Sequence, residues 1–157
     1  MPHTNLLRHR LFHQHLAETT FTKPEQIVSH LGAMQAQEWA HAKWAIGLRI
    51  PGLTDADVEA AFNAGTILRT HVLRPTWHFV SPADIRWLLA LSGPRVQAGN
   101  AFMYRKTELD DALFRRCHAV FTRALEGGKH LTRSALQLAL AGAGIQAEGQ
   151  RLGYVMM

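Results

Sequence analysis

The sequence predicts a mainly α-helical chain with one small β-hairpin, α+β in class. Three observations carry this expectation. Apolar residues recur every three or four positions through residues 5–62, and breaks such as Pro51-Gly52 interrupt them. The pattern then changes to two short β-branched and apolar runs, Thr66–Leu73 and Thr76–Val80, separated by Arg74-Pro75. Helical spacing returns after Ser81.

Taken in order, Leu6, Leu7, Leu11, Phe12 and Leu16 mark a first helix over Asn5–Leu16. Thr22-Lys23-Pro24-Glu25 reads as a helix start, with Thr22 as cap and Pro24 just inside, and Gly32 ends that helix after Leu31. A third helix is expected from about Gln37 to Leu48, with Trp39, Trp44, Ile46 and Leu48 as its apolar markers. Thr54-Asp55-Ala56-Asp57 caps a fourth, which stops at Gly65. Helices and then a hairpin give the order of a winged helix, a helix-turn-helix variant with a β wing. The first domain is read as residues 1–92, closing with a helix from Ser81 to about Ser92.

Gly93-Pro94 is expected to open a less regular stretch, and residues 93–157 hold a second run of helices with no hairpin after them. These cover Leu109–Leu125, a segment from Leu131 to Gly142, and Gln150–Met157. The last segment, Leu152-Gly153-Tyr154-Val155-Met156-Met157, reads as an apolar stripe without cover, which favours the chain being part of something longer.

Composition excludes several classes. A chain of 157 residues that is 47% hydrophobic and 18% charged builds an ordinary packed core. No apolar run is long enough to span a membrane, and Met1–Asn5 lacks the apolar core of a secretory signal. Cys117 is the single cysteine, so no disulfide forms within the chain; a buried, inert thiol and a reducing, cytoplasmic location are expected. The net charge of +5 permits an anionic partner without demanding one.

Two segments could carry chemistry. In Met34-Gln35-Ala36-Gln37-Glu38-Trp39, two glutamines flank one small residue. A Gln amide orients water and stabilises charge but takes up no proton, so a catalytic Gln pair requires a leaving group that is already activated. Two residues apart on a helix point to nearly opposite sides, so Gln35 and Gln37 converge only if the backbone there is extended or turning. The alternative is a capping or surface Gln35 with Gln37 on a solvated face. The second segment is Arg69-Thr70-His71-Val72-Leu73-Arg74-Pro75-Thr76-Trp77-His78-Phe79. Alternation puts Arg69 and His71 on one face and Thr76 and His78 on one face, as in a wing that touches phosphates or props open a duplex. Equally, it describes a half-buried hairpin with Trp77 and Phe79 in the core and polar groups in water. The histidines show no metal-ligand spacing, and glycine-rich phosphate loops and Gly-x-Ser-x-Gly are absent.

Leu31-Gly32-Ala33-Met34-Gln35-Ala36-Gln37 with Trp44-Ala45-Ile46-Gly47-Leu48-Arg49 resembles the N-terminal motif of the AlkZ/YcaQ-type winged-helix DNA glycosylases. Leu73-Arg74-Pro75-Thr76-Trp77-His78-Phe79-Val80 resembles that family's hairpin motif, and Gly149-Gln150-Arg151-Leu152-Gly153-Tyr154 a segment of its second winged helix. The resemblance implies the start of a tandem winged-helix array, with residues 93–157 forming a helical linker and an incomplete second winged helix. It implies a monofunctional glycosylase that hydrolyses the N-glycosidic bond of N7-alkylated purines, interstrand crosslinks included, without a cofactor or metal. The implied partner is double-stranded DNA carrying alkylated bases, not a membrane. Gln35 and Gln37 fall on the family's Gln-x-Gln active-site motif. Arg69, His71, Arg74, Thr76 and His78 are the expected DNA-binding residues. Chains of the family run to more than twice this length. The rival reading is a non-catalytic winged-helix DNA-binding or regulatory protein.

Overall fold

A computed structural model describes residues 3–74 and 76–157. Among them are eight helices and one three-stranded antiparallel sheet. The chain divides into two compact units, Met1–Val96 and Gln97–Met157.

The first unit begins with α1 (His3–His13) and α2 (Pro24–Leu31). The start of α2 lies one residue later than Thr22 suggests. Lys23 is the cap residue and Pro24 opens the helix, while Gln26 Oε1 accepts from the N–H groups of Thr22 and Lys23. Gly32, at φ 73°, then turns the chain out of the helix, a conformation that favours glycine.

Beyond Gly32 the chain enters strand β1 (Ala33–Gln35), where the sequence predicts only the approach to a helix. Consequently α3 starts at Trp39, not Gln37, and runs to Gly47. Its buried residues are Ala42, Lys43 and Ile46, whereas Trp44 and Leu48, two of its expected markers, are exposed. Buried Lys43 is paired, at 2.7 Å from Asp55 and 2.6 Å from Glu59. Those hydrogen bonds hold its pKa above the ordinary lysine value, so the ammonium stays charged. Helix α4 (Asp55–Asn63) is capped as expected, with Thr54 and Asp57 bonding reciprocally.

Strands β2 (Leu68–Val72) and β3 (Thr76–Val80) form the hairpin. Pro75, expected in its turn, lies outside the described residues. The sheet order is β1-β3-β2, so β3 is central. The faces differ. Met34, Ala36 and Phe79 point into a core with Ile27, Val28, Ile46, Val58 and Ile67. On the opposite face, Val72 and Val80 pack on Leu88 of α5 (Ile85–Lys106), with Ala33, Leu68 and Ile85 beside them.

Helix α5 corrects a second expectation: it is regular through Gly93-Pro94. Proline removes one N–H from the ladder, but the surrounding residues keep helical geometry. Near that point, Ser92 Oγ donates to Leu88 O at 2.6 Å and accepts from the N–H of Leu73 at 3.1 Å. This bond ties down the hairpin tip, where Leu73 takes a left-handed φ of 65°.

In the second unit, α6 (Asp111–Ala124), α7 (Arg133–Gly142) and α8 (Gly149–Val155) follow the cap residues Asp110, Thr132 and Glu148. Their core is Cys117, Leu140, Ile145, Ala147 and Leu152. Cys117 is buried and free, and its burial raises the thiol pKa, as expected of an inert cysteine. Leu152 is buried and Val155 and Met156 are half-buried against the same cluster, so part of the expected bare C-terminal stripe is covered within its own unit, while Met157 is exposed.

Candidate active site on the first sheet

The site is built around the end of β1 and the hairpin. From Met34 to Gln37 the side chains alternate. Met34 and Ala36 are buried, and Gln35 and Gln37 are exposed. The condition for the two amides to serve one site is therefore met: Gln35 sits in a strand and Gln37 in the bend before α3.

Register places Gln35 directly across from His78, with Thr70 on the other side of His78 in β2. Directly opposed residues in an antiparallel sheet share a face, with Cβ atoms roughly 5 Å apart. Thr76 lies on that face as well, two residues along β3 and so about 7 Å further. His78 is buried, and its Nδ1 lies 2.9 Å from the carbonyl of Thr76. A carbonyl only accepts, so His78 Nδ1 is the donor in this bond. The Thr76 hydroxyl is shut off from solvent and has no hydrogen-bond partner among the described residues.

Gln37 is held differently. Its Oε1 accepts from the backbone N–H of Trp77 at 3.4 Å, a long bond that brings the amide against β3. The backbone of Ala36 donates to Trp77 O at 2.7 Å, which continues the ladder one residue past β1.

The expected DNA-contacting residues fall in three settings. Arg74 is exposed at the hairpin tip. Thr76 and His78 share the face of Gln35. Arg69 and His71 lie on the other face. The Arg69 guanidinium donates to Ala36 O at 3.0 Å and Gln37 O at 3.1 Å, and sits 4.6 Å from the ring of Trp77 and 5.8 Å from that of Trp39. His71 packs against Trp77 with ring centres 3.9 Å apart and the planes tilted by 37°. Burial, with help from Arg69 and His78, lowers its pKa, so His71 is uncharged at neutral pH.

Thr70 and the Trp77 backbone N–H are not singled out by the sequence. The apolar–polar alternation of Met34-Gln35-Ala36-Gln37 is a local trace of their neighbourhood, but it is too short to mark a third strand pairing with β3. Among the described residues, no three His, Cys, Asp or Glu side chains gather as a metal ion requires, and no helix is long and apolar enough to cross a membrane.

A small sheet with a helical core, carrying a Gln-x-Gln segment beside its hairpin, defines a winged-helix fold with a polar site at the sheet edge. The AlkZ-like family (DNA glycosylase AlkZ-like) matches residues 28–157. The chain belongs to the AlkZ-like DNA glycosylase family. Among solved structures, the fold is similar to Streptomyces sahachiroi DNA glycosylase AlkZ, with a TM-score of 0.73 and 22% identity. That match covers 85% of this chain and 36% of the Streptomyces protein, so the chain spans about a third of its length. No curated protein matches the sequence.

Proposed function

We propose that the chain carries the bond-breaking site of a DNA repair glycosylase acting on N7-alkylated purines, interstrand crosslinks included. The observation that supports this most is the pair of exposed amides, Gln35 and Gln37, on extended and bent backbone beside His78 and Thr76.

Alkylation at N7 makes guanine cationic. When the bond between C1′ and N9 breaks, its electron pair passes to the base and neutralises that charge. The sugar becomes oxocarbenium-like, as in glycoside hydrolysis. Water then adds to C1′ and releases a proton to solvent. No general acid is needed, because the leaving group is primed. Amide oxygens of Gln35 and Gln37 hold the water and stabilise the sugar cation. Arg74 is the proposed phosphate contact, and Thr76 and His78 stand beside Gln35 on its face of the sheet, with His71 on the opposite face. A crosslinked base is tied to the opposite strand and cannot swing freely into a deep pocket. An exposed pair of amides at a sheet edge suits such a substrate.

The test is base release from duplex DNA containing N7-methylguanine, read as abasic sites, alongside binding to unrelated duplexes. A glycosylase releases base and binds with little sequence preference. Tight binding to one operator sequence with no base released overturns the proposal in favour of a regulator.

A further inference from the structure

We infer that Arg69 is a positioning residue: it folds the Gln-x-Gln bend and thereby sets the Gln37 amide against β3. This rests on the glycosylase reading for its functional consequence, though not for its geometry.

Successive carbonyls of an extended chain point to opposite edges of the strand. The carbonyls of Ala36 and Gln37 nevertheless both meet one guanidinium, at 3.0 Å and 3.1 Å. That convergence requires the backbone to bend at this point, which is where β1 ends and α3 is about to begin. The guanidinium also lies over the indoles of Trp77, at 4.6 Å, and Trp39, at 5.8 Å. Arginine suits this place for its shape. A planar fork offers two donors at set spacing and stacks on aromatic faces, whereas a lysine ammonium is a hydrated point charge that does neither.

The bend also changes the ladder. In a regular antiparallel pair, Ala36 and Trp77 exchange two backbone bonds. Here Ala36 N–H donates to Trp77 O, but Ala36 O accepts from Arg69. The N–H of Trp77 turns instead to Gln37 Oε1. By engaging the carbonyl of Ala36, Arg69 leaves a backbone donor for the Gln37 side chain. The amide is held along the edge of β3, near Thr76, rather than sampling solvent. On this reading the Arg69 guanidinium serves the chain's own backbone, and its expected contact with DNA is what the salt dependence of binding tests.

The experiment compares wild type, Arg69→Lys and Arg69→Ala. It measures single-turnover base release, duplex affinity as a function of salt, and the Gln37 side-chain amide resonance by nitrogen-15 NMR. In folded Arg69→Lys, release is expected to fall about 100-fold, the order of loss from a misplacement of roughly 1 Å. Affinity and its salt dependence are expected to stay unchanged, and the Gln37 resonance to move to the position of a free glutamine amide. An unchanged release rate in that folded variant overturns the inference. So does a loss of affinity with a shallower salt dependence, which marks a phosphate contact. An unmoved Gln37 resonance overturns it too. If Arg69→Ala fails to fold, the lysine variant decides. If the wild type releases no base, the glycosylase reading fails and the resonance alone judges the positioning role.

Discussion

Gln37→Ala is expected to slow single-turnover release of N7-methylguanine about 100- to 1,000-fold, the usual loss on removing one preorganised electrostatic group. Duplex affinity should be nearly unchanged, because the amide acts on water and sugar rather than on phosphate. Two effects of the substitution must be separated. The Trp77 N–H loses its acceptor, which costs about 1 kcal/mol of stability. The water loses one of its two holders, which lowers the rate. A melting curve taken with the kinetics distinguishes them. Gln35→Ala should lower the rate similarly without the stability cost. The double variant should lose less than the product of the single losses, since both amides serve one water. Release at the wild-type rate by Gln37→Ala removes the proposed role.

The largest effect on stability is expected from Phe79→Ala. Phe79 is fully buried in the central strand, opposite Met34 on one side and Arg69 on the other. Its ring packs edge-on against Trp39 at 5.5 Å, and Trp39 packs against Phe62 at 4.8 Å. Truncation removes the apolar side chain on which the helical core and the sheet meet, and should cost about 3–5 kcal/mol. Small domains hold roughly 5–15 kcal/mol in all, so much of the first unit's stability would be lost. Urea denaturation reads this as a lower midpoint at an unchanged slope. A midpoint within error of wild type would mean that the ring does not join the two layers.

Much of this architecture is legible in the sequence because strong local signals mark it. Thr54 with Asp57, Thr132 and the glycine after Leu31 set helix ends through bonds between near neighbours. The hairpin is legible because two short β-branched and apolar runs flank Arg74-Pro75. Strand β1 is hidden because three residues give too short a period, and its existence depends on pairing with β3, more than forty residues away. Pro94 misleads because its local cost reads as a break, where the helix runs on through it. Trp44 and Lys43 invert the expected face of α3. The lysine is buried because two carboxylates at the next helix reach it, a tertiary fact with no local trace.

For the site, residue type points to Gln35, Gln37 and the hairpin, but not to their relation. The pairing of Gln35 with His78 comes from strand register. The bond from the Trp77 N–H to Gln37 joins residues forty positions apart, and Arg69 reaches the same bend from β2. Arg69 shows what charge alone leaves out: a cation on a wing suggests phosphate, and only the fold reveals that its guanidinium also meets the carbonyls of Ala36 and Gln37 and lies near Trp77 and Trp39.

The central claim is that two amides, unable to take up a proton, suffice because the departing base is already cationic. The most direct test compares single-turnover release from duplexes identical except for one base, N7-methylguanine in one and an uncharged lesion in the other. The account predicts release of the cationic base, dependent on Gln35 and Gln37, and little from the neutral lesion. Equal release of both bases, or release of the cationic base that survives loss of both glutamines, would contradict it.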